Sequence, residues 1–211
     1  MADLTDWIVW HKGYDDPESH LSQRLRTIER HLTAFLDETG TRPIRVLSVC
    51  SGDGRDLIDV LAGRADAHRV QATLLEYDER LVRRARERAE STGLTGIEVR
   101  HVDAGHLDAY AGLLPADLVL LVGIFGNIST SDIQRVVATA PAFCEPDARL
   151  IWTRHRRAPD LTPSIRQWFG EAGFAEEAFD SPEQSFSVCL ERYAGDGLAM
   201  PTEPALFSFL R

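Results

Sequence analysis

Five short runs of β-branched and leucine residues, each parted from the next by a helical pattern, constrain this chain more than any other feature. The runs are Ile44–Cys50, Val70–Glu76, Ile97–Val102, Asp117–Gly123 and Leu150–Thr153. Helical spacing fills Asp56–Gly63, Glu79–Thr92, Asp132–Thr139 and Pro163–Ala172. Leu118-Val119-Leu120-Leu121-Val122 has no polar face, so it needs cover on both sides, as a strand of a parallel sheet flanked by helices does. Strands alternating with helices of this length predict βαβ units in a doubly wound α/β fold.

The two ends depart from that rhythm. Ahead of the first strand, Pro17–Thr39 carries Leu21, Leu25, Ile28, Leu32 and Phe35–Leu36 at helical spacing, which predicts one amphipathic helix. Behind the last helix, Phe174–Phe179 and Phe186–Tyr193 flank Ser181-Pro182-Glu183-Gln184, the turn chemistry of an antiparallel hairpin, and Leu206–Leu210 is a further strand-like run. Five strands and a hairpin make a Rossmann-like, mostly parallel seven-stranded sheet. No repeat or Pro/Gly-rich linker divides the 211 residues, so the expectation is a single domain, with residues 1–40 as a helical lid and 44–211 as the core.

Charge and cysteine usage narrow the class. With 33 acidic against 23 basic residues the net charge is −10, which disfavours a partner bound through many phosphates, such as nucleic acid or an anionic membrane. No apolar run approaches the ~18 residues of a membrane span. Residues Met1–Trp10 carry Asp3 and Asp6 and lack the basic start of a signal peptide. Three scattered cysteines, Cys50, Cys144 and Cys189, fit a reducing compartment better than a disulfide framework or a zinc site. The expectation is a cytoplasmic monomer or homodimer.

In open α/β sheets ligands bind beyond the carboxyl ends of the strands, so the residues there carry the chemistry. After the first strand comes Cys50-Ser51-Gly52-Asp53-Gly54, in which two glycines let the backbone turn tightly and approach a ligand at the next helix's N-terminus. The same glycines also suit a turn that binds nothing. The second strand ends in Leu75-Glu76-Tyr77-Asp78. A carboxylate there offers two oxygens to a vicinal diol, although a helix N-cap is the competing role, better suited to Asp78 than to Glu76. Asp103-Ala104, after the third strand, pairs a carboxylate with a backbone N–H, a match for an adenine edge.

In this order the residues resemble the class I S-adenosylmethionine-dependent methyltransferases over about Ile44–Tyr193. Val46–Gly54 is similar to that superfamily's glycine-rich first motif, Leu75–Asp78 to its second, and Val102–Ala104 and Ala116–Val119 to its third and fourth. Gly123–Ile128 and Trp152–Arg157 resemble a group of small actinobacterial-type methyltransferases. The resemblance implies S-adenosylmethionine as cofactor and S-adenosylhomocysteine as product, with a small-molecule acceptor in secondary metabolism. It implies Glu76 on the ribose beside Tyr77, Asp103 and Ala104 at adenine, and the backbone of Ser51, Gly52, Asp53 and Gly54 beneath the methionine moiety, with Gly123 at the end of the fourth strand. Ser48 stands where the superfamily usually has an acid and Cys50 where it has glycine, so a catalytically silent binder of the cofactor remains an alternative. An NAD-dependent oxidoreductase is another, since Glu76 suits either nucleotide, but Leu57 fills the position where the dinucleotide fingerprint needs Gly or Ala.

Methyl transfer is an in-line displacement, and a base is needed only where the acceptor must lose a proton. Thr153-Arg154-His155-Arg156-Arg157, at the end of the fifth strand, is the densest basic cluster in an acidic chain. His155 is a candidate base, and the cluster can hold a carboxylate or phosphate of the substrate, or is simply a solvated loop. Phe125-Gly126-Asn127 follows the fourth strand, where Asn127 either orients the acceptor or shapes the turn ahead of a helix capped by Ser129 or Ser131. Trp7, Trp10, His11 and Tyr14 form an aromatic group in the lid, with His11 and Tyr14 as further catalytic candidates. The expected metal carboxylates after the fourth and fifth strands are missing, as is an Asn/Asp-Pro-Pro-aromatic motif, so neither a metal nor a nucleic-acid substrate is expected.

Overall fold

Alternate residues along each inner strand face opposite sides of one sheet, which is why both faces are covered. Leu47, Val49, Val119 and Leu121 belong to one buried cluster, whereas Val46, Leu118 and Leu120 belong to the other. A computed structural model describes residues 7–182 and 185–210, apart from the side chain of Trp10. The strands are β1 (Ile44–Val49), β2 (Val70–Glu76), β3 (Ile97–His101), β4 (Ala116–Leu121), β5 (Cys144–His155), β6 (Phe174–Asp180) and β7 (Phe186–Tyr193). The helices are α1 (Trp7–His11), α2 (His20–Glu38), α3 (Arg55–Ala62), α4 (Glu79–Ser91), α5 (Thr130–Thr139) and α6 (Thr162–Glu171).

The sheet order is β3-β2-β1-β4-β5-β7-β6. β1 to β5 pair in parallel, while β7 runs antiparallel to both β5 and β6. The expected Rossmann-like seven-stranded sheet with its C-terminal antiparallel hairpin is therefore present, and its strand order reverses between β1 and β4. Of the hairpin turn, Glu183 and Gln184 lie outside the described residues.

Helix α2 starts later than the periodicity predicts. The Ser19 Oγ accepts the Ser22 backbone N–H at 3.1 Å and caps a helix that opens at His20, not Pro17. Its buried Ile28, Leu32, Phe35 and Leu36 join the sheet core, while Trp7, His11 and Tyr14 ahead of it lie over the strand ends. β5 begins six residues before the expected Leu150, because Asp147 takes a left-handed φ of 62° and a register shift against β4 absorbs it.

The expected strand Leu206–Leu210 is not one. Only isolated bridges form, His106 with Ala205 and Ile128 with Phe209, and Leu206 N donates to Gly105 O at 2.7 Å. The segment crosses the carboxyl ends of the strands as a strap and buries Leu206 and Phe207 in the core. Among the described residues no helix is long and apolar enough to cross a membrane.

Candidate functional site

The carboxyl ends of β1, β2 and β3 open into a cavity of about 570 Å³ at the β1/β4 reversal. Its floor is the loop after β1. Cys50, Gly52 and Gly54 all hold left-handed backbone, with φ of 54°, 61° and 67°. Cys50 thus adopts the glycine conformation that its place in the turn demands, and burial pushes its thiol pKa up, beyond what a reactive thiolate would need. A Cβ on Gly52 would lie 2.7 Å from His11 Nε2, so glycine lets the imidazole rest on the loop. Gly54 is not in the cavity wall. A Cβ there would meet Leu74 Cδ2 at 2.5 Å, so glycine lets the loop pack against β2.

Glu76 is the hub of the floor. Its Oε2 accepts the buried Gly52 N–H at 2.8 Å, and its Oε1 accepts the Tyr77 and Asp78 N–H groups at 2.9 and 2.8 Å. Burial raises its pKa, and those three donors oppose the rise. Asp78, as expected, is the cap of α4, its carboxylate accepting the Arg80 N–H. With two donors on Oε1 and one on Oε2, the carboxylate keeps one acceptor site, on Oε2. Tyr77 stands exposed on the rim and Asp103 is half-exposed, its Oδ1 accepting the Gly105 N–H at 2.8 Å. Ala104 is buried beside it, and both line the cavity. The Ser51 Oγ is buried without a partner.

The roof comes from both ends of the chain. Trp7 meets Phe209 edge-on at 5.7 Å, and Phe207 to Leu210 complete the cover. His11 hydrogen-bonds through Nδ1 with Trp7 O at 2.7 Å, and burial lowers its pKa. Tyr14 accepts a hydrogen bond from Arg24 at 3.1 Å and lies under the Arg55 guanidinium, 4.3 Å from the ring centroid. Burial raises the Asp53 carboxyl, but the Arg55 hydrogen bonds and charge outweigh it and hold Asp53 below its usual range. Asp56 receives only the Leu57 N–H, and burial lifts its pKa to about 6.

A second cavity of about 450 Å³ adjoins the first, with Gly123 and Arg24 in both walls. Gly123 N donates to Thr153 Oγ1 at 2.9 Å, which ties the β4 exit to β5 at the junction. Here lie Asn127 and the basic cluster. Asn127 Nδ2 donates to Gly123 O at 2.7 Å, so its amide shapes the turn, while Ser129 caps α5. His155 packs against Gly126, and its pKa is lowered by burial first, then by Arg154 and Arg157. Its Nδ1 is buried without a partner.

The candidates thus fall into two groups. His11 and Tyr14 join Ser51, Gly52, Asp53, Glu76, Tyr77, Asp103 and Ala104 around the first cavity, and His155 and Asn127 belong to the second. The sequence reading missed Arg24, Arg55, Asp56 and the strap. Arg24 had a visible signal: a charge three residues after Leu21 and four before Ile28 interrupts the apolar stripe of α2. Among the described residues, the one group with metal-ligating geometry, Glu176, Cys189 and Glu191, lies on β6 and β7 away from both cavities. Arg166 already pairs there with Glu176, and Trp152 with Glu191.

A family model described as "Methyltransferase domain" matches residues 41–189. No curated protein sequence matches the chain. Among solved structures, magnesium protoporphyrin IX methyltransferase from Synechocystis PCC 6803 with bound SAM is 17% identical, with a TM-score of 0.68 over 90% of this chain and 92% of that one. An O-methyltransferase family protein from Burkholderia thailandensis is 15% identical, with a TM-score of 0.61 over 90% and 69%. A [4+2]-cyclase is 16% identical, with a TM-score of 0.60 over 79% and 81%. At these identities the likeness is one of fold.

Proposed function

The chain belongs to the methyltransferase domain family, and from that premise we propose that it moves the methyl group of S-adenosylmethionine to a small-molecule acceptor held in the second cavity. The observation that carries this reading is the junction at Gly123. The cavity floored by Ser51–Asp53, Glu76 and Asp103–Ala104 opens there onto a second one that holds His155. The first cavity fits the cofactor: Glu76 Oε2 has one acceptor site left for a ribose hydroxyl, the Ser51 hydroxyl is buried and unpartnered, and glycine brings bare backbone to the floor. Bound S-adenosylmethionine supplies a methyl group made electrophilic by its sulfonium. Glu76 holds a ribose hydroxyl through Oε2, Asp103 and the Ala104 N–H meet adenine, and the roof of Trp7, His11 and Phe207 keeps water out. The chain's main task is alignment, which converts an encounter of two molecules into a reaction within one complex.

Where the acceptor must lose a proton, His155 takes it. Burial and the neighbouring arginines lower the imidazole's pKa and so favour its neutral, proton-accepting form, and a backbone bond to Gly126 orients the ring. Asn127 positions the loop, since its amide is spent on Gly123. Three free cysteines suit a reducing compartment, and we place the enzyme in the cytoplasm.

S-adenosylhomocysteine at about 100 times its Kd is expected to stabilise the protein by ~2.7 kcal/mol, with NAD leaving the melting temperature unchanged. Isotope-labelled methyl groups should then appear in the small-molecule fraction of a cell extract. Calorimetric binding of NAD but not of S-adenosylhomocysteine overturns the reading. Tight S-adenosylhomocysteine binding without label in any fraction points to a silent binder.

A further inference from the structure

The wall of the second cavity has a charge composition unlike the rest of the molecule. The chain carries −10 overall, yet among the described residues this wall holds four arginines, Arg24, Arg154, Arg156 and Arg157, two histidines, His20 and His155, and no carboxylate. Two of the arginines are already occupied. Arg156 pairs with Asp160 at 2.6 Å and donates to Ser181 Oγ, and Arg24 donates to Tyr14. Arg154 and Arg157 are different. Arg154 is only 7% exposed, and its guanidinium rests on two backbone carbonyls, Phe125 O and Pro159 O, with no carboxylate in contact among the described residues; its Nε is buried with no partner. A buried cation is costly unless an anion and hydrogen bonds compensate it, and here the described carboxylate that acts on it, Asp160, does so only through space. Arg157, one step out on the same rim, is exposed and has no ion pair among the described residues.

The cavity also has apolar surface, Leu21 from α2 and Phe186 from β7. An occupant therefore has an organic body to lay against those side chains and a negative head to set on the arginines. The His155 ring lines the same cavity, packed against Gly126.

We propose that the acceptor is a small organic anion, a carboxylate or phosphate, anchored by Arg154 and Arg157. The anion offsets the buried charge of Arg154, and the N–H groups that its two carbonyl bonds leave over, with those of Arg157, fix its orientation beside the first cavity. This rests on the reading of the two cavities as donor and acceptor sites. The overall −10 repels polyanions, so a compact anion that fits inside the cavity is the occupant, not a nucleic acid strand.

The test is calorimetric titration of the full chain, saturated with S-adenosylhomocysteine, with benzoate, phenyl phosphate and benzamide. NMR of the His155 imidazole, identified by its loss in His155→Gln, reports the place of binding. Benzoate or phenyl phosphate should bind at least about tenfold tighter than neutral benzamide and shift the His155 signal, and the stronger of the two tells which head group the site takes. Arg157→Gln, an exposed substitution, should weaken the anion about tenfold and leave S-adenosylhomocysteine affinity intact. Arg154→Gln should weaken it at least as much, and if that variant does not fold, Arg157→Gln decides alone. Equal affinity for benzoate and benzamide, binding that leaves His155 unmoved, or unaltered anion affinity in Arg157→Gln overturns the proposal. So does displacement of the bound anion by a short DNA strand, which would make the wall a polyanion surface. Anion binding can be titrated without the cofactor product, so failure to bind S-adenosylhomocysteine would count against the proposed function and not against this site.

Discussion

Replacing Glu76 with alanine should damage both stability and cofactor binding, and the two losses can be separated. The carboxylate accepts three backbone N–H groups, from Gly52, Tyr77 and Asp78. Tyr77 is 71% exposed, and the Asp78 N–H lies beside it at the rim, so water can replace the carboxylate for those two. The Gly52 bond is buried, so its donor is left without a partner, at a cost of about 1–3 kcal/mol. For a domain of this size each kcal/mol lowers the melting temperature by about 2–4 °C. Relief of the burial that raises the Glu76 pKa offsets part of that loss. Binding loses more: charge-assisted bonds to the ribose contribute about 1.5–3 kcal/mol, so S-adenosylhomocysteine affinity should fall roughly 10- to 150-fold. Glu76→Gln should be no rescue, since one amide oxygen cannot serve donors on both sides of the carboxylate. Calorimetric unfolding of the unliganded variants and titration with S-adenosylhomocysteine supply the two numbers. A folded Glu76→Ala protein that binds within twofold of the parent would refute the ribose role and leave Glu76 as a tie for the glycine loop.

Three further substitutions probe the neighbouring parts. His155→Asn should keep S-adenosylhomocysteine affinity while lowering turnover about 10²–10⁴-fold for an acceptor that loses a proton, measured with the labelled-methyl assay; unaltered turnover clears His155 and turns attention to His11 and Tyr14. Gly52→Ala, which forces a Cβ against His11 Nε2 at a left-handed φ, should displace the roof and weaken the cofactor product, and calorimetry showing parental affinity would mean the roof does not bear on binding. Glu191, 1% exposed, has its pKa lifted to about 7 by burial, so its folded form prefers the proton and the protein loses stability as pH rises from about 4.5 through 7. Glu191→Gln keeps an acceptor for Trp152 Nε1 and should add up to about 3 kcal/mol at pH 8 and almost nothing at pH 4, read by denaturant unfolding at the two pH values.

The sheet was legible because its chemistry is local. A run such as Leu118–Val122 has only one stable environment, and five such runs at helical intervals leave few alternatives to a doubly wound sheet. The same locality misled at the C-terminus. Leu206–Leu210 alternates in the manner of a strand, but pairing needs a free edge, and by the time the chain returns it lies over the strand ends with only Gly105 and Asn127 offering carbonyls. Gly54 shows the limit on a finer scale. Spacing identifies a glycine that must turn; what a side chain there would collide with depends on Leu74 and Ile58, brought in from β2 and α3.

The second cavity was out of reach for a different reason. Its wall takes Leu21 and Arg24 from α2, Gly123, Gly126 and Asn127 from the β4 exit, Arg154 and His155 from the end of β5, Arg156 and Arg157 just beyond it, and Phe186 from β7. Sequence flagged the arginines as a cluster but could not tell a lined cavity from a solvated loop, since that turns on what lies opposite. The antiparallel register that pairs His155 with Phe186 supplies one side, and the packing of α2 on the sheet supplies the other. Those two facts bury Arg154 while leaving it only carbonyl partners. An arginine on a loop is an ordinary surface charge, whereas one buried without a carboxylate is stable enough to persist only if the cavity it borders regularly holds a negative group or if its carbonyl bonds alone repay its desolvation. Swapping Arg154 for glutamine separates these: anion affinity falls in the first case, and in the second the protein loses stability with its anion affinity unchanged.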